Sequence, residues 1–209
     1  MTKQRLDYLK ESPSQTAGPY VHIGTNPNWV EITGVWREDL GLVLVGPDTR
    51  GERIVLEGRV TDGAGAPVRD ALIEIWQADA AGLYNSPAET RGTADPAFAG
   101  WGRQPLSVED GTYRFETIRP GRVPFPDGRL QAPHITVWIV ARGINLGLHT
   151  RAYLADERQA NAGDPLLSRI PEPERRETLI AGRSERDGLP VFRFDIRLQG
   201  EAETVFLDI

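Results

Sequence analysis

Hydrophobic and polar side chains alternate along several short stretches of this chain, and a period of two residues predicts β-strands. The first such stretch covers residues 53–61, where one face would carry Ile54, Leu56, Gly58 and Val60. Turn residues follow at 62–67, and a second apolar run follows at 71–77. We interpret the two runs as a β-hairpin whose apolar face must pack against another sheet.

Further strand patterns come later in the chain. Residues 112–117 alternate, and residues 134–141 form a nearly continuous apolar run, which is typical of a central strand covered on both faces. Residues 151–154 predict a short strand. The cleanest alternation lies at residues 190–198, and a turn at Gly200 would close a final hairpin. About seven short strands predict a mainly β chain that folds as a two-sheet β-sandwich.

One or two short helices are predicted beside the strands. Residues 171–181 favour a helix, because prolines and acidic residues stand at the start and Gly182 suits the stop. Residues 1–11 favour a short polar helix that ends before Pro13. Residues 85–110, in contrast, form a long irregular section, which indicates a functional loop or a segment that covers an interface.

Residues 1–50 contain no clear core pattern and are predicted to form an N-terminal arm with loops, whereas residues 51–209 would form the β-sandwich. Residues 14–24 are expected to be extended, because Pro19 biases Gly18 away from the helical region. The simplest alternative is a floppy terminal segment. Leaving its aromatic and aliphatic side chains in water is costly, so we expect the arm to pack on a partner subunit.

Charge and composition exclude several classes of function. The net charge is −6 and no stripe of lysine or arginine stands out, so nucleic acid is a poor partner. The chain contains no cysteine, which removes disulfides and thiolate metal sites. No apolar run approaches the roughly 18 residues of a membrane span, and no charged-then-apolar leader opens the chain. We therefore expect a cytoplasmic protein that does not enter a membrane.

Four strings of residues carry a family resemblance. The string WQADAAGLY at residues 76–84 resembles a motif of the intradiol ring-cleaving dioxygenases, which are non-haem iron enzymes that open catechols. Long strings at residues 14–24, 141–151 and 175–181 are also similar to members of this family. The resemblance implies a β-sandwich of the intradiol dioxygenase type. In the catalytic members, two tyrosines and two histidines hold Fe(III).

Only half of that ligand set is present in this chain. The resemblance aligns Tyr84 with the first tyrosine and His134 with the first histidine, but Val123 and Thr136 stand at the other two positions. Valine has no donor atom, a threonine hydroxyl is a feeble ligand for a ferric ion, and two remaining ligands do not make a stable site. We therefore expect no metal site here. Tyr84 would be a buried aromatic residue and His134 a hydrogen-bonded histidine at a strand end.

A chain with this scaffold and an incomplete ligand set resembles the α chains of the two-chain members of the family. The resemblance implies an αβ hetero-oligomer in which Fe(III) is bound by a homologous β subunit and not by this chain. It also implies protocatechuate and O2 as substrates and 3-carboxy-cis,cis-muconate as the product. The α chain would then contribute residues to the substrate pocket beside the iron of its partner.

Four residues are predicted to line that pocket. The resemblance implies that Thr16, Gly18 and Pro19 of the arm reach the cleft of the partner. Arg142 directly follows a predicted central strand, and its planar guanidinium can donate two parallel hydrogen bonds to the carboxylate of a benzoate. The alternative for Arg142 is a surface arginine that caps a strand end.

Two other functions are compatible with the strand pattern. A transthyretin-like β-sandwich that only binds a partner explains the apolar strands and the missing ligands, but it does not explain the family strings. A dioxygenase that works alone with unusual ligands is disfavoured by Val123. Purification separates the three hypotheses, since they predict an iron-bearing αβ complex, a lone chain without iron and a lone chain with iron.

Overall fold

The computed structural model describes residues 16–208, so the helix predicted at residues 1–11 lies outside the described residues. Nine strands are present in the described part of the chain. They are β1 (Arg53–Thr61), β2 (Leu72–Trp76), β3 (Trp101–Pro105), β4 (Thr112–Ile118), β5 (His134–Val140), β6 (Leu148–Leu154), β7 (Ile180–Arg186), β8 (Leu189–Arg193) and β9 (Ile196–Arg197).

Five short helical segments accompany these strands in residues 16–208. They are α1 (Val21–Thr25), α2 (Arg158–Ala162), α3 (Pro173–Glu177) and 3-10 turns at Pro27–Val30 and Leu167–Arg169. No helix in this part of the chain is long and apolar enough to cross a membrane.

The strands form two sheets that meet at β7. One sheet has the order β3-β2-β5-β6, and the other has the order β8-β1-β4 with β9 added beside β1. The first residues of β7 pair with β6 in parallel, and the following residues pair with β8 in antiparallel. The predicted mainly β, two-sheet architecture is confirmed.

One hydrophobic core lies between the inner faces of the two sheets. It includes Ile54 and Leu56 of β1, Ile73 of β2, Val137 of β5 and Phe192 of β8, each at most 1% exposed. A smaller cluster lies on the outer face of the first sheet. It consists of Ala132, Tyr153, Leu166, Leu167 and Leu179. Since Thr136 and Trp138 are only half-buried on that outer face, the prediction that β5 is covered on both faces holds for only part of its length.

The predicted hairpin of residues 53–77 is wrong. The turn at residues 62–66 does form, and the Val68 amide donates to the Val60 carbonyl at 2.9 Å. Beyond it the chain crosses between sheets, so β1 pairs with β4, β8 and β9, whereas β2 pairs with β3 and β5. Both strands bury an apolar face in the same core, and alternation alone does not say which strand is the neighbour.

The final predicted hairpin is also interrupted. The stretch 190–198 is split into β8 and β9, and after Gly200 the chain crosses to β6, where the Leu207 amide donates to the His149 carbonyl at 2.8 Å. The split lies at Phe194, whose carbonyl comes so close to β1 that a Cβ on Gly58 would stand 1.9 Å from it. A glycine in β1 therefore makes room for the bend between β8 and β9.

Helix and loop predictions differ from the structure in four places. Residues 21–24, predicted to be extended, lie in α1, and the irregular section 85–110 contains β3. The predicted helix 171–181 is limited to α3, because the chain enters β7 at Ile180 before Gly182 is reached. The helix α2 lies in a segment where no helix was predicted. Each of these segments is short, so its local preference is easily overridden by packing.

Candidate functional site

The loop that carries the family motif is built around the side chain of Asp79. Its Oδ1 accepts hydrogen bonds from the backbone amides of Ala81 and Leu83, both at 2.9 Å, and its Oδ2 accepts one from Asp95 at 2.8 Å. An aspartate that binds amides two and four residues ahead closes a tight turn. The same turn directs the chain from β2 towards Tyr84.

Two glycines let this loop contact the proline-glycine loop at residues 120–124. Gly82 has a φ of +81°, and a Cβ there would lie 2.2 Å from the Arg122 carbonyl oxygen. A Cβ on Gly121 would lie 2.4 Å from the Gly82 nitrogen. The two backbones touch directly, and this contact brings Tyr84 and Val123 to one cavity of about 400 Å³, which Trp76 and Gln131 also line.

The four positions of the family ligand set therefore lie in one region of the structure. His134 and Thr136 share the outer face of β5, and Thr136 pairs across the strands with Trp76 of β2. Tyr84 stacks on Trp76, with ring centroids 5.9 Å apart and planes 4° apart. The structure thus places the two retained ligand types beside the two positions where ligands are lacking.

Tyr84 is half-buried, so the prediction of a buried aromatic residue is confirmed only in part. Its ring is held by the stack on Trp76, and its backbone amide donates to Glu89 Oε2 at 3.0 Å. Burial raises the pKa of the Tyr84 hydroxyl above its usual value, while the positive charges of Arg151 and Arg91 oppose that rise. The phenol is therefore neutral at physiological pH.

His134 is buried and hydrogen-bonded, as predicted. Its Nδ1 lies 2.8 Å from the Ala132 carbonyl oxygen, so Nδ1 carries the proton that is donated there. Burial, and to a smaller extent the positive charge of Arg151, lower the pKa of His134 to about 4. The imidazole is neutral at physiological pH, packed 5.5 Å from the ring of Tyr153.

Arg151 is a member of this region that the sequence analysis missed. It pairs across the strands with Thr136, and its Nη1 donates to Gln131 Oε1 at 2.6 Å. The signal that could have found it is the register of β6 against β5, which puts residue 151 on the same outer face as residues 134 and 136. That register cannot be read from the residues of β6 alone.

The residues in this region do not fit a ferric ion. The donor set consists of one neutral phenol and one imidazole, with a valine and a threonine at the remaining places, and a guanidinium lies beside them. Within residues 16–208 no group of three or more histidine, cysteine or acidic side chains is arranged to hold a metal.

The predicted pocket residues lie at the other end of β5. The hydroxyl of Thr16 donates to the Ala141 carbonyl at 2.8 Å and accepts a bond from the Gly143 amide at 3.0 Å. These two residues flank Arg142, so Thr16 fixes the arm beside that arginine. The structure therefore brings the arm and Arg142 together, and the substrate pocket that they would line stays a prediction.

Gly18 and Pro19 follow this contact in the chain. Gly18 has a φ of +76°, which favours glycine, and a Cβ there would meet no atom within 4 Å. Gly18 therefore has open space around it in this chain, and its place in the partner's cleft stays a prediction. Arg142 Nε lies 3.1 Å from Asp70 Oδ2, and the Arg142 side chain is 68% exposed. A cleft of about 870 Å³ opens here between Arg142, Asp70, His22 and Leu198.

The two regions are separated by the length of one strand. From His134 to Ala141 the distance along β5 is roughly 23 Å, at about 3.3 Å per residue. Arg142 and the arm therefore cannot act on a group bound between Tyr84 and His134 of the same chain.

The sequence of this chain is similar to the sequences of known proteins over nearly its full length. A protocatechuate 3,4-dioxygenase alpha chain of Pseudomonas putida is 47% identical over 207 residues, which cover 97% of this chain and 98% of the relative. A family profile described as dioxygenase matches residues 25–200. The chain belongs to the intradiol dioxygenase family.

Other intradiol dioxygenases extend the comparison to the second type of subunit and to the fold. A protocatechuate 3,4-dioxygenase beta chain of Burkholderia cepacia is 37% identical over 161 residues, which cover 74% of this chain and 67% of the relative. The crystal structure of 3-chlorocatechol 1,2-dioxygenase from Rhodococcus opacus has a TM-score of 0.57 at 21% identity, over 78% of this chain and 68% of that one. The latter likeness establishes the shared β-sandwich fold of the intradiol dioxygenases.

Proposed function

We propose that this chain is the α subunit of a two-chain intradiol dioxygenase that cleaves protocatechuate with O2 to 3-carboxy-cis,cis-muconate. Its similarity to an α chain over nearly the full length of both proteins supports the role, and its similarity to a β chain supports a homologous partner. The bond that breaks joins the two hydroxyl-bearing ring carbons, and both atoms of O2 enter the product. The proposal includes a cytoplasmic location.

In this proposal the Fe(III) belongs to the β subunit. That iron supplies the oxidative chemistry, and the residues of this chain bind and orient the substrate beside it. The donor set of Tyr84, Val123, His134 and Thr136 supports this division, because it does not fit a ferric ion.

One observation carries the proposal: Thr16 bonds to the backbone on both sides of Arg142. The arm and the arginine thereby form one unit at the end of β5 that is remote from Tyr84 and His134. A substrate-binding unit in that place serves a reacting centre of another chain, because residues 16–208 of its own chain offer none within reach. Gly18 leaves the approach open, and Pro19 limits the backbone freedom of the turn.

The exposed apolar residues of the N-terminal segment also support a partner subunit. Of the 13 large hydrophobic side chains exposed in residues 16–208, nine lie between residues 20 and 43. They are Tyr20, Ile23, Trp29, Ile32, Val35, Trp36, Leu40, Leu42 and Val43. Apolar surface concentrated in this way is typical of an interface, and it continues directly from the arm at Thr16 to Pro19. We assign this surface to the β subunit.

Arg142 provides the kinetic prediction. We expect Arg142→Ala to raise the KM for protocatechuate about 10- to 100-fold, because a charge-assisted hydrogen bond to the carboxylate contributes roughly 1.5–3 kcal/mol. The iron content per αβ unit should stay that of the parent, since Arg142 would bind the substrate and would not ligate the metal. Steady-state kinetics together with metal analysis of the purified complex measure both quantities.

Two further variants act as controls for Arg142. Arg142→Lys keeps the positive charge but loses the planar guanidinium, so its KM for protocatechuate should lie between those of the parent and the alanine variant. Arg193→Ala removes another exposed arginine that is paired with an aspartate, Asp195, at 2.8 Å, and it should leave the KM unchanged. Parent-like kinetics in Arg142→Ala would argue against a substrate contact.

Co-purification tests the partnership itself. The chain is co-expressed with an iron-binding β homologue, and the complex is assayed for ring cleavage of protocatechuate and for iron. A complex that turns over substrate while this chain alone holds no iron supports the proposal. A soluble lone chain that binds no β homologue supports instead a β-sandwich binding module.

A further inference from the structure

Arg151 lies at the centre of the incomplete ligand set. Strand pairing puts Trp76, Thr136 and Arg151 in one row across β2, β5 and β6, on the outer face of the first sheet. Tyr84 stacks on Trp76, and His134 lies two residues before Thr136 on the same face of β5. The guanidinium therefore lies among the positions from which a family member would direct its ligands.

The position of the Arg151 head group is fixed by a neutral partner. Its Nη1 donates to the side-chain Oε1 of Gln131 at 2.6 Å, and the backbone amide of Gln131 donates to the Val123 carbonyl at 2.9 Å. Gln131 itself is only 5% exposed, so the anchor is rigid. This chain of bonds ties the guanidinium to the loop in which valine replaces the second tyrosine.

The charge of Arg151 has no counter-ion in the described part of the chain. No carboxylate of residues 16–208 lies within 4 Å of its guanidinium, and its buried Nε has no hydrogen-bond partner there. Two acidic side chains of this region are engaged elsewhere: Glu89 lines the cavity beside Val123, and Asp164 accepts a hydrogen bond from Tyr153. Glu89 pairs with Arg91, and Asp164 accepts the backbone amides of Ala132, Leu166 and Leu167.

We propose that Arg151 takes the place of the cation in this chain and that its fixed positive charge excludes a metal ion from this face. The two missing ligands then explain only part of the loss of metal binding. A metal ion would have to enter beside a guanidinium that no carboxylate of residues 16–208 neutralises, in a partly buried site where repulsion between like charges is weakly screened. Restoring the ligand types at positions 123 and 136 does not create an iron site while Arg151 stays.

Iron content of full-length variants tests this inference. The variants are Val123→Tyr with Thr136→His, the same pair with Arg151→Gln, and the same pair with Arg151→Lys. The cavity of about 400 Å³ beside Val123 has room for the new ring. Each chain is purified with any partner it needs, exposed to Fe(III), and its iron is counted per copy of this chain in excess of the parent.

We expect only the variant with Arg151→Gln to gain iron, approaching one additional ion per chain, and to develop the visible absorption of tyrosinate bound to Fe(III). The lysine variant retains a positive charge and should gain none. Because the count is relative to the parent, it is independent of whether a β subunit holds iron, and failure of the proposed function leaves this result readable.

Two results would overturn the inference. One is a gain of iron in the double variant that keeps Arg151, and the other is no gain in a folded variant with Arg151→Gln. Folding is checked by thermal melting. Arg151→Met, which is uncharged and of similar length, replaces the glutamine if the first variant does not melt cooperatively.

Discussion

Gly82→Ala is expected to lower the free energy of unfolding by about 4 kcal/mol. About 1–2 kcal/mol comes from placing a side chain at a φ of +81°. The remainder comes from overpacking, which costs about 1–3 kcal/mol, since the new Cβ would stand 2.2 Å from the Arg122 carbonyl oxygen. Urea unfolding followed by tryptophan fluorescence measures the loss. The substitution should also separate the two loops that place Tyr84 and Val123 at one cavity.

Gly65→Ala is the matched control for this prediction. Gly65 has a φ of +83°, close to that of Gly82, but a Cβ there meets no atom within 4 Å. The control should therefore lose only the backbone term of about 1–2 kcal/mol. Equal losses in the two variants would show that the contact between the loops contributes nothing to stability.

The second large effect is a dependence of stability on pH that arises from His134. Its pKa is about 4 in the folded chain, against about 6.5 in an unfolded one. Between pH 6.5 and pH 4, His134 is protonated in the unfolded chain and neutral in the folded chain. The free energy of unfolding should therefore fall as the pH drops from 7 to 4, by about 3 kcal/mol in total from this residue. Above pH 7 the imidazole is neutral in both states and contributes no slope.

His134→Gln isolates that contribution from the carboxylates, which titrate in the same range in both proteins. Glutamine keeps a donor for the Ala132 carbonyl but takes up no proton. The difference in unfolding free energy between parent and variant should be constant from pH 8 to 7 and should change by about 3 kcal/mol by pH 4. Curves that stay parallel down to pH 4 would contradict the buried, neutral histidine.

The sequence predicts which residues are inside better than it predicts which strands are neighbours. Alternation in residues 53–61 correctly assigns the buried face of β1, because a period of two is a local property of the strand. It fails to show that β1 and β2 lie in different sheets, since both faces are apolar and both enter the same core. The bend at Phe194 is hidden for a similar reason, because it depends on Gly58 in a distant strand.

The candidate site was predictable where a motif is continuous in the chain and unpredictable where it is assembled across strands. The loop ending at Tyr84 and the positions of Val123, His134 and Thr136 follow from short strings. Arg151 does not, because its place beside Thr136 is set by the register of β6 on β5. The contact between Thr16 and the residues around Arg142 spans more than a hundred positions, so no local pattern reveals it.

The rigid strand between His134 and Ala141 also bears on how such a chain can diverge. The two ends of β5 lie roughly 23 Å apart, so substitutions at one end and at the other are expected to act independently. After duplication of a common ancestor, one copy could therefore lose its metal ligands while the surface that packs on the other copy stayed unchanged. Division of labour between two copies requires that kind of mechanical independence.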